Sequence, residues 1–257
     1  MSGAPDTSGA PGMSDVRWTY AFIDRPSPAS AGFWAEVTGT RLSEPRGDQA
    51  EFATLLPADG YDPCVKFQTV AEGPGGAHID FSVTDVRAFA ARAVDLGARM
   101  VADHATWSVL RSPAGQVFCA VPWHGESTRP PVHAASRLDQ VCIDIPPSAY
   151  ASEISFFTAL LPTWTSTPSR LPEFHALVPP PGLPLRLLLQ RTDQEQPLTA
   201  HLDLAASPNI PEVRARHEEL GARTVAEFPY WTVMRDPDDG IYCLTGRDPE
   251  TGGLPRS

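Results

Sequence analysis

Two histidines each lie two residues before an aspartate, as His78 with Asp80 and His201 with Asp203. Successive side chains of a strand alternate between its faces, so each imidazole and its carboxylate project from the same side. Such an imidazole is suited to act as a general base, a ligand anchor or a metal ligand. The structural alternative is a histidine satisfied by polar neighbours and an aspartate in a salt bridge. His78 and His201 are the candidate catalytic residues, with no reaction assigned.

A tryptophan precedes an arginine by four residues twice, as Trp107 with Arg111 and Trp231 with Arg235. On a strand this spacing places the indole and the guanidinium on one face. Together they would suit a planar, anionic or aromatic ligand, through stacking and bidentate hydrogen bonds. The alternative is core packing by the indole and a structural role for the arginine.

These residues belong to an internal repeat. His78 and His201 are 123 positions apart. Six further pairs are 124 positions apart: Leu96/Leu220, Gly97/Gly221, Trp107/Trp231, Arg111/Arg235, Pro113/Pro237 and Cys119/Cys243. Gln68 and Gln190 match more weakly, at a spacing of 122. A period of this length is too long for a solenoid unit and indicates a duplicated domain.

Each copy divides again into two similar units. In the second unit of the first copy, a strand at 78–83 precedes a helix with Asp85 at its N-cap and Gly97 at its end. Strands follow near 99–103, 107–111 and 117–122, the last two joined by a Ser-Pro-Ala-Gly turn. The first unit has a strand at 17–24, a helix at 29–37 ending at Gly39, and strands near 40–44, 50–56 and 64–70. The order is βαβββ, twice in each copy.

Composition favours a soluble protein of the reducing cytoplasm. The 257 residues carry a net charge of -11 and no basic cluster, which argues against nucleic-acid binding. No apolar run is long enough to span a membrane, and no secretory signal is visible. The four cysteines form no CxxC pair, which argues against a zinc knuckle or a disulfide framework. No Ser-His-Asp order, P-loop or dinucleotide motif is present, so hydrolase, NTPase and dinucleotide-dependent functions lack support.

The repeat sets the expected domain limits. We expect a flexible N-terminal tail at 1–14, a first domain at 15–123, a Pro-rich linker at 124–136, a second domain at 137–247 and a C-terminal tail at 248–257. The remaining histidines are expected in loops, in the linker or on an exposed helix face, without a role: His104, His124, His133, His175 and His217.

The doubled βαβββ units, the His-x-Asp phrases and the Trp-x-Val-[Leu/Met]-Arg hairpins resemble the vicinal oxygen chelate superfamily, the fold of glyoxalases, bleomycin-resistance proteins and extradiol dioxygenases. The resemblance covers residues 15 to 247 and is closest to the glyoxalase-like branch. It implies an α+β fold of tandem domains, each a curved mixed sheet with a concave pocket. Single-domain members usually dimerise, so the chain is expected to be a monomeric pseudo-dimer, with a homodimer as the alternative.

The resemblance also implies four metal-ligand positions in each copy, usually two His and two Glu. In the first copy they fall near Trp18, near Gln68, and on His78 and Cys119. In the second copy they fall near Gln140 and on Gln190, His201 and Cys243. No glutamate occupies an expected place, and Gln or a buried thiol is a poor ligand. The two glutamines would hydrogen-bond a ligand or satisfy a sheet edge.

The sequence therefore predicts a small-molecule-binding protein of the glyoxalase and bleomycin-resistance type without a cofactor or catalytic metal. The alternative is a lyase, isomerase or dioxygenase in which His78 or His201 acts as a base or binds a divalent metal. In a third reading one copy only braces the other. The predicted ligand-binding residues are Gln68, His78, Trp107, Arg111, Cys119, Gln140, Gln190, His201, Trp231, Arg235 and Cys243.

Overall fold

The computed structural model describes residues 16–71, 73 and 75–254. The tail expected at 1–14 lies outside them. The first copy contains eight strands and two helices: β1 (Val16–Arg25), α1 (Ala31–Thr38), β2 (Arg41–Leu42), β3 (Phe52–Leu56), β4 (Val65–Thr69), β5 (Gly76–Val83), α2 (Val86–Asp95), β6 (Arg99–Asp103), β7 (Ser108–Arg111) and β8 (Val117–Pro122).

The second copy repeats this order. Its elements are β9 (Arg137–Ile145), α3 (Tyr150–Leu160), β10 (Thr165–Pro168), β11 (Phe174–Val178), β12 (Arg186–Arg191), β13 (Thr199–Ala205), α4 (Ile210–Glu219), β14 (Arg223–Glu227), β15 (Trp231–Arg235) and β16 (Ile241–Thr245), with a short 3-10 turn at 147–149 before α3.

Each copy forms one eight-stranded mixed sheet. The spatial orders are β2-β3-β4-β1-β5-β8-β7-β6 and β10-β11-β12-β9-β13-β16-β15-β14. At the centre of the first sheet β1 and β5 are antiparallel, while β4 runs parallel to β1 and β8 runs parallel to β5. Two βαβββ units therefore meet along their first strands. The predicted α+β fold with tandem domains is confirmed.

Local signals placed the helix ends and turns correctly. The Asp85 carboxylate accepts a hydrogen bond of 2.9 Å from the Ala88 amide and caps α2. Gly39 ends α1 with φ +64°, in the left-handed region that glycine adopts without strain. In the β7–β8 turn, the Gly115 amide donates to the Ser112 carbonyl at 3.0 Å. These contacts are between residues close in sequence, which is why the sequence could predict them.

The first helix of each copy packs against the other copy. On α1, the Trp34 ring meets Tyr242 of β16 with centroids 5.2 Å apart, and the Phe33 ring meets His217 of α4 at 5.8 Å. On α3, Phe157 lies 6.1 Å from Phe118 of β8. Burying a ring of this size stabilises the fold by about 2 to 3 kcal/mol. The two sheets are thus joined by an aromatic core rather than by the connecting chain alone.

The segment between the copies lies along the first sheet. The Asp62 carboxylate accepts hydrogen bonds from the amides of Ser127 and Thr128, at 2.7 and 2.8 Å. The Tyr20 hydroxyl of β1 donates to the Glu126 carboxylate at 2.6 Å. The first sheet ends at 122 and the second begins at 137. We therefore propose domain limits at 15–123 and 137–247.

No helix in the described part of the chain combines the length and the hydropathy needed to cross a membrane.

Candidate ligand-binding site

A cavity of about 480 Å³ opens on one face of the first sheet. Its walls are aromatic and aliphatic: Phe22, Phe52, Val70, Trp107, Val109, Val117, Val121 and Pro122. Its polar lining comes from the central strands and their neighbours: Tyr20, Asp24, Lys66, Gln68, His78, Asp80, Cys119 and His124. An apolar hollow with a few convergent polar groups is the usual form of a small-molecule site.

Strand register brings the polar groups together. Tyr20 of β1 lies opposite Asp80 of β5, and Asp80 lies beside Cys119 of β8. One row further along, Phe22 lies opposite His78 and beside Lys66 of β4. Residues paired across neighbouring strands share a face, so four strands present these side chains to one cavity.

His78 is held by a carboxylate that the sequence analysis did not single out. Its Nδ1 lies 2.7 Å from Asp24 Oδ2, while its Nε2 lies 3.6 Å from Asp80 Oδ1. The Phe22 ring stacks on the imidazole at 4.3 Å. Burial by itself lowers the pKa of His78, but the nearby Asp24 and Asp80 carboxylates outweigh it and raise that pKa above the usual value. The imidazole is fixed in orientation and favours its charged form.

Lys66 adds an ammonium group to the cavity beside the His78 imidazole. Its ammonium lies 3.8 Å from the centre of the Tyr20 ring and 4.0 Å from Asp80 Oδ2. Burial lowers the pKa of Lys66, and burial raises the pKa of Asp80 against the opposing effect of His78 and Lys66. The ammonium makes a cation–π contact and only a long ion pair.

The second copy rebuilds the histidine cluster. His201 Nδ1 lies 3.0 Å from Asp144 Oδ2, and His201 Nε2 lies 3.4 Å from Asp203 Oδ1 and 3.5 Å from Cys243 Sγ. Burial opposes the charged imidazole, but the neighbouring sulfurs of Cys142 and Cys243 and the hydrogen bonds to the carboxylates raise the pKa of His201 well above its usual value. One histidine between two aspartates, with a buried cysteine, is common to both copies.

The surroundings of the two clusters differ. By the matching registers, Tyr20 is replaced by Gln140, Phe22 by Cys142 and Lys66 by Leu188. Gln140 donates a hydrogen bond to Asp203, and the Cys142 thiol lies 3.5 Å from Gln190 Oε1. The second cluster therefore has no lysine beside its aspartate.

Aromatic rings also close over the second sheet. The Phe174 and Trp231 rings, on β11 and β15, meet edge to face at 5.7 Å. Five inter-strand steps separate these strands, which would be about 24 Å in a flat sheet. The sheet must curl for the rings to touch. In the first copy the corresponding Phe52 and Trp107 both line the open cavity.

The predicted ligand-binding residues of the first copy are only partly brought together. Gln68, His78, Trp107 and Cys119 line the cavity. Arg111 does not: its guanidinium is exposed and donates to the Gly115 carbonyl of its own turn at 3.1 Å. Four residues along a strand span about 13 Å, so a shared face did not place the arginine beside the indole. The structure therefore does not bring Trp107 and Arg111 together on one wall, and the cationic side chain that lines the cavity with Trp107 is Lys66.

In the second copy, Arg235 likewise donates to its own turn, at the Asp239 carbonyl, 2.7 Å away. Trp231 stacks on Phe228 at 4.7 Å and contacts Phe174. The predicted residues Gln140, Gln190, His201 and Cys243 do meet in the cluster described above.

Two further expectations are corrected. Trp18 is fully buried and donates from Nε1 to the Pro63 carbonyl at 2.8 Å, and Tyr20, two residues on, takes the position that matches Gln140. His217, expected on an exposed helix face, is 2% exposed, and its Nδ1 lies 3.0 Å from the Tyr242 hydroxyl. The side chains of Trp18 and His217 are therefore both part of the buried interior.

Sequence reasoning missed the aspartates that hold the histidines. The available signal was the Ile-Asp pair near the end of the first strand in both copies, at Asp24 and Asp144. It also missed Lys66, which is the only lysine of the chain among 19 arginines. The presence of a single lysine in a chain otherwise rich in arginine could have marked this residue as a site candidate.

The fold and the paired clusters define the class of protein. The family model of the glyoxalase-like domain matches residues 21–121 and again residues 140–245. The chain belongs to this family, within the vicinal oxygen chelate superfamily, as a tandem pair of domains. Comparison of the sequence with curated proteins gave no match.

Solved structures share the fold at low identity. A triple mutant of 4-hydroxymandelate synthase from Streptomyces coelicolor is 12% identical, with 95% of this chain and 94% of that chain covered and a TM-score of 0.59. A catechol 2,3-dioxygenase is 10% identical, with 95% and 91% covered and a TM-score of 0.61. A trihydroxybiphenyl dioxygenase from Sphingomonas wittichii strain RW1 is 15% identical, with 91% and 90% covered and a TM-score of 0.61. These likenesses show the fold alone.

Proposed function

We propose that the protein binds a small organic molecule in the cavity of the first copy, without a catalytic metal. The observation that carries this proposal is the hollow itself, about 480 Å³ with aromatic and aliphatic walls and a charged floor. A volume of this size suits a small organic ligand, and the few polar groups would fix its orientation.

The donor set of the first copy does not fit the divalent ion that many members of the superfamily use. His78, Asp80 and Cys119 do offer ligand atoms within 4.8 Å of one another. However, the Lys66 ammonium lies 4.0 Å from Asp80 and would repel a second cation there. Burial raises the pKa of the Cys119 thiol, as it does that of Cys142 in the second copy, so both thiols are weak ligands and the repulsion by Lys66 is what separates the two sets.

A second candidate function belongs to the second copy. Cys142, His201 and Asp203 offer ligand atoms within 4.8 Å of one another, and Leu188 stands where Lys66 stands in the first copy. Asp203 Oδ1, like Asp80 Oδ1 in the first copy, is buried and has no hydrogen-bond partner among the described residues. His201 and Asp203, with the Cys142 thiol as a weak third donor, could hold a divalent ion, which supplies Lewis acidity toward ligand oxygens. Asp144 would then orient His201 through Nδ1, and Nε2, which lies 3.4 Å from Asp203 Oδ1, would face the ion.

Ligand binding can be followed by tryptophan fluorescence with a panel of aromatic and carboxylate compounds. Trp107 lines the open cavity and Trp231 is covered by two rings. We expect saturable binding whose signal is lost in Trp107→Phe and kept in the matched control Trp231→Phe. Failure of the whole panel to bind, or loss of the signal only in the control, contradicts the proposal.

Metal analysis of protein purified without chelator separates the two candidates. Near-stoichiometric metal that is lost in His201→Ala and kept in His78→Ala supports the second candidate in the second copy. Metal that is lost in His78→Ala contradicts the metal-free first cavity. Protein without metal that still binds compounds of the panel supports the first proposal alone.

A further inference from the structure

The ammonium of Lys66 faces the cavity without a full partner. Among the described residues it donates no hydrogen bond to a carboxylate: the closest one, Asp80, lies 4.0 Å away, beyond hydrogen-bond distance. The lysine side chain is 22% exposed, while those of Asp24, His78 and Asp80 are 15%, 9% and 4% exposed. Of these four groups on the floor, the Lys66 ammonium is therefore the one most open to a ligand.

We propose that the ligand of the first copy carries an anionic group, a carboxylate or a phenolate, which binds to Lys66. This inference rests on the proposed function and names the class of molecule that it accepts. The acids of the floor do not prevent it, because Asp24 is engaged by His78 at 2.7 Å and Asp80 lies between His78 and Lys66. An anion would give the half-buried ammonium the short, charge-assisted hydrogen bonds that it lacks.

The aromatic walls of the cavity determine which apolar groups the ligand can carry beside its anionic group. Phe22 and Phe52 meet edge to face at 6.4 Å on one side, and Trp107, stacked on His104 at 3.9 Å, lines the cavity as well. Flat rings with fixed neighbours favour a planar apolar body, which can stack on them at little cost in conformational entropy. The accepted class is thus an aromatic ring system with one anionic substituent.

The second copy provides the internal comparison. Leu188 replaces Lys66, and Trp231 meets Phe174 where the first copy has open space. The second copy therefore lacks a cation at the position of Lys66 and lacks the gap between the rings. The cation that acts on its Asp203 is the largely buried Arg186, beside Gln140. The preference for an anion at the lysine position therefore belongs to the first copy.

Calorimetric titration with matched probes tests this inference. For phenyl, naphthyl and biphenyl scaffolds, the carboxylate, the neutral carboxamide and the cationic carboxamidine are titrated into the full chain. We expect the carboxylate of the best scaffold to bind at least about tenfold more tightly than its amide. In Lys66→Met this preference should disappear while the amide keeps its affinity, and in Lys66→Arg it should be retained in part.

The single lysine provides a second measurement that needs no substitution. In protein labelled with [ε-13C]lysine, the one lysine signal should shift and saturate with the carboxylate, and it should shift less with the amide. An amide or amidine that binds as tightly as the carboxylate to the unsubstituted protein overturns the anionic class and leaves the proposed function standing. If no probe on any scaffold gives heat or moves the signal, both the anionic class and the proposed function are wrong.

Discussion

The indole of Trp34, on the first helix of the first copy, donates a hydrogen bond of 2.9 Å to Asp236 Oδ2 in the last hairpin of the second copy. The same oxygen accepts a hydrogen bond of 2.7 Å from Arg25 Nε, and both partners of this ion pair are buried. Arg25 ends the strand that carries Asp24, and it also donates to the Asp24 carbonyl at 2.7 Å. The contact between the copies therefore holds the end of the strand from which Asp24 reaches His78.

Asp236→Asn should destabilise the protein strongly, because it leaves the Arg25 guanidinium buried without its counter-charge. Removing one member of a buried pair costs about 3 to 5 kcal/mol of unfolding free energy. The matched control is Asp103→Asn, which breaks the exposed ion pair with Arg87 and should cost less than about 1 kcal/mol. Urea unfolding measures both. Equal effects of the two substitutions would contradict the prediction, because the buried pair would then stabilise the protein no more than an exposed one.

Glu153→Gln should stabilise the protein at neutral and alkaline pH. Glu153, on α3, is fully buried and accepts one hydrogen bond, of 3.0 Å, from the Ala114 amide of the β7–β8 turn. Burial raises its pKa, and the nearby Ser112 hydroxyl and the Ala114 amide oppose this only in part. The folded protein thus holds this proton more tightly than the unfolded chain, so stability is lost as pH rises from the usual glutamate pKa through the raised one.

Thermal unfolding between pH 4 and pH 8 checks this prediction. The Gln variant should unfold at a higher temperature than the unsubstituted protein at pH 8, and the difference should shrink toward pH 4. The exposed Glu219→Gln is the control and should not change the pH profile. A Gln variant that is less stable at every pH would mean that the charged carboxylate is favoured at this interface.

His217 should make the protein sensitive to acid. Burial, and to a smaller extent the charge of Arg216, lower the pKa of His217 from 6.5 to about 4. The folded state binds fewer protons than the unfolded chain between these values, so stability present above pH 6.5 is lost as pH falls toward 4. The shift corresponds to about 3 kcal/mol. In His217→Gln this part of the slope should vanish, whereas the exposed His124→Gln should keep it. Denaturant midpoints across this range measure it.

Asp24→Asn should lower the pKa of His78. The carboxylate at 2.7 Å favours the charged imidazole against the effect of burial, and an amide does not supply that charge. Histidine-selective NMR titration measures this directly. Asp144→Asn is the matched control: it should lower the pKa of His201 and leave that of His78 unchanged. If the pKa of His78 stays the same in Asp24→Asn, Asp80 rather than Asp24 is its main partner.

The local part of the fold was readable from the sequence. The βαβββ order, the Asp85 cap, the Gly39 helix end and the hairpin turn at 112–115 all depend on contacts within a few residues. The internal repeat then predicted the same order of strands and helices in the second copy. His78 and Asp80 could be placed on one face because alternation along a strand is a local property. These features needed no knowledge of which strands would be neighbours.

The site itself depended on neighbours that are distant in sequence. Lys66 reaches His78 and Asp80 only because β4 and β5 flank β1 in a particular register, and Arg111 is excluded because its strand carries it past the cavity. The contact of Phe174 with Trp231 requires the sheet to curl through five inter-strand steps. Periodicity within one segment specifies which face a side chain takes, and only the packed sheet specifies what stands opposite it.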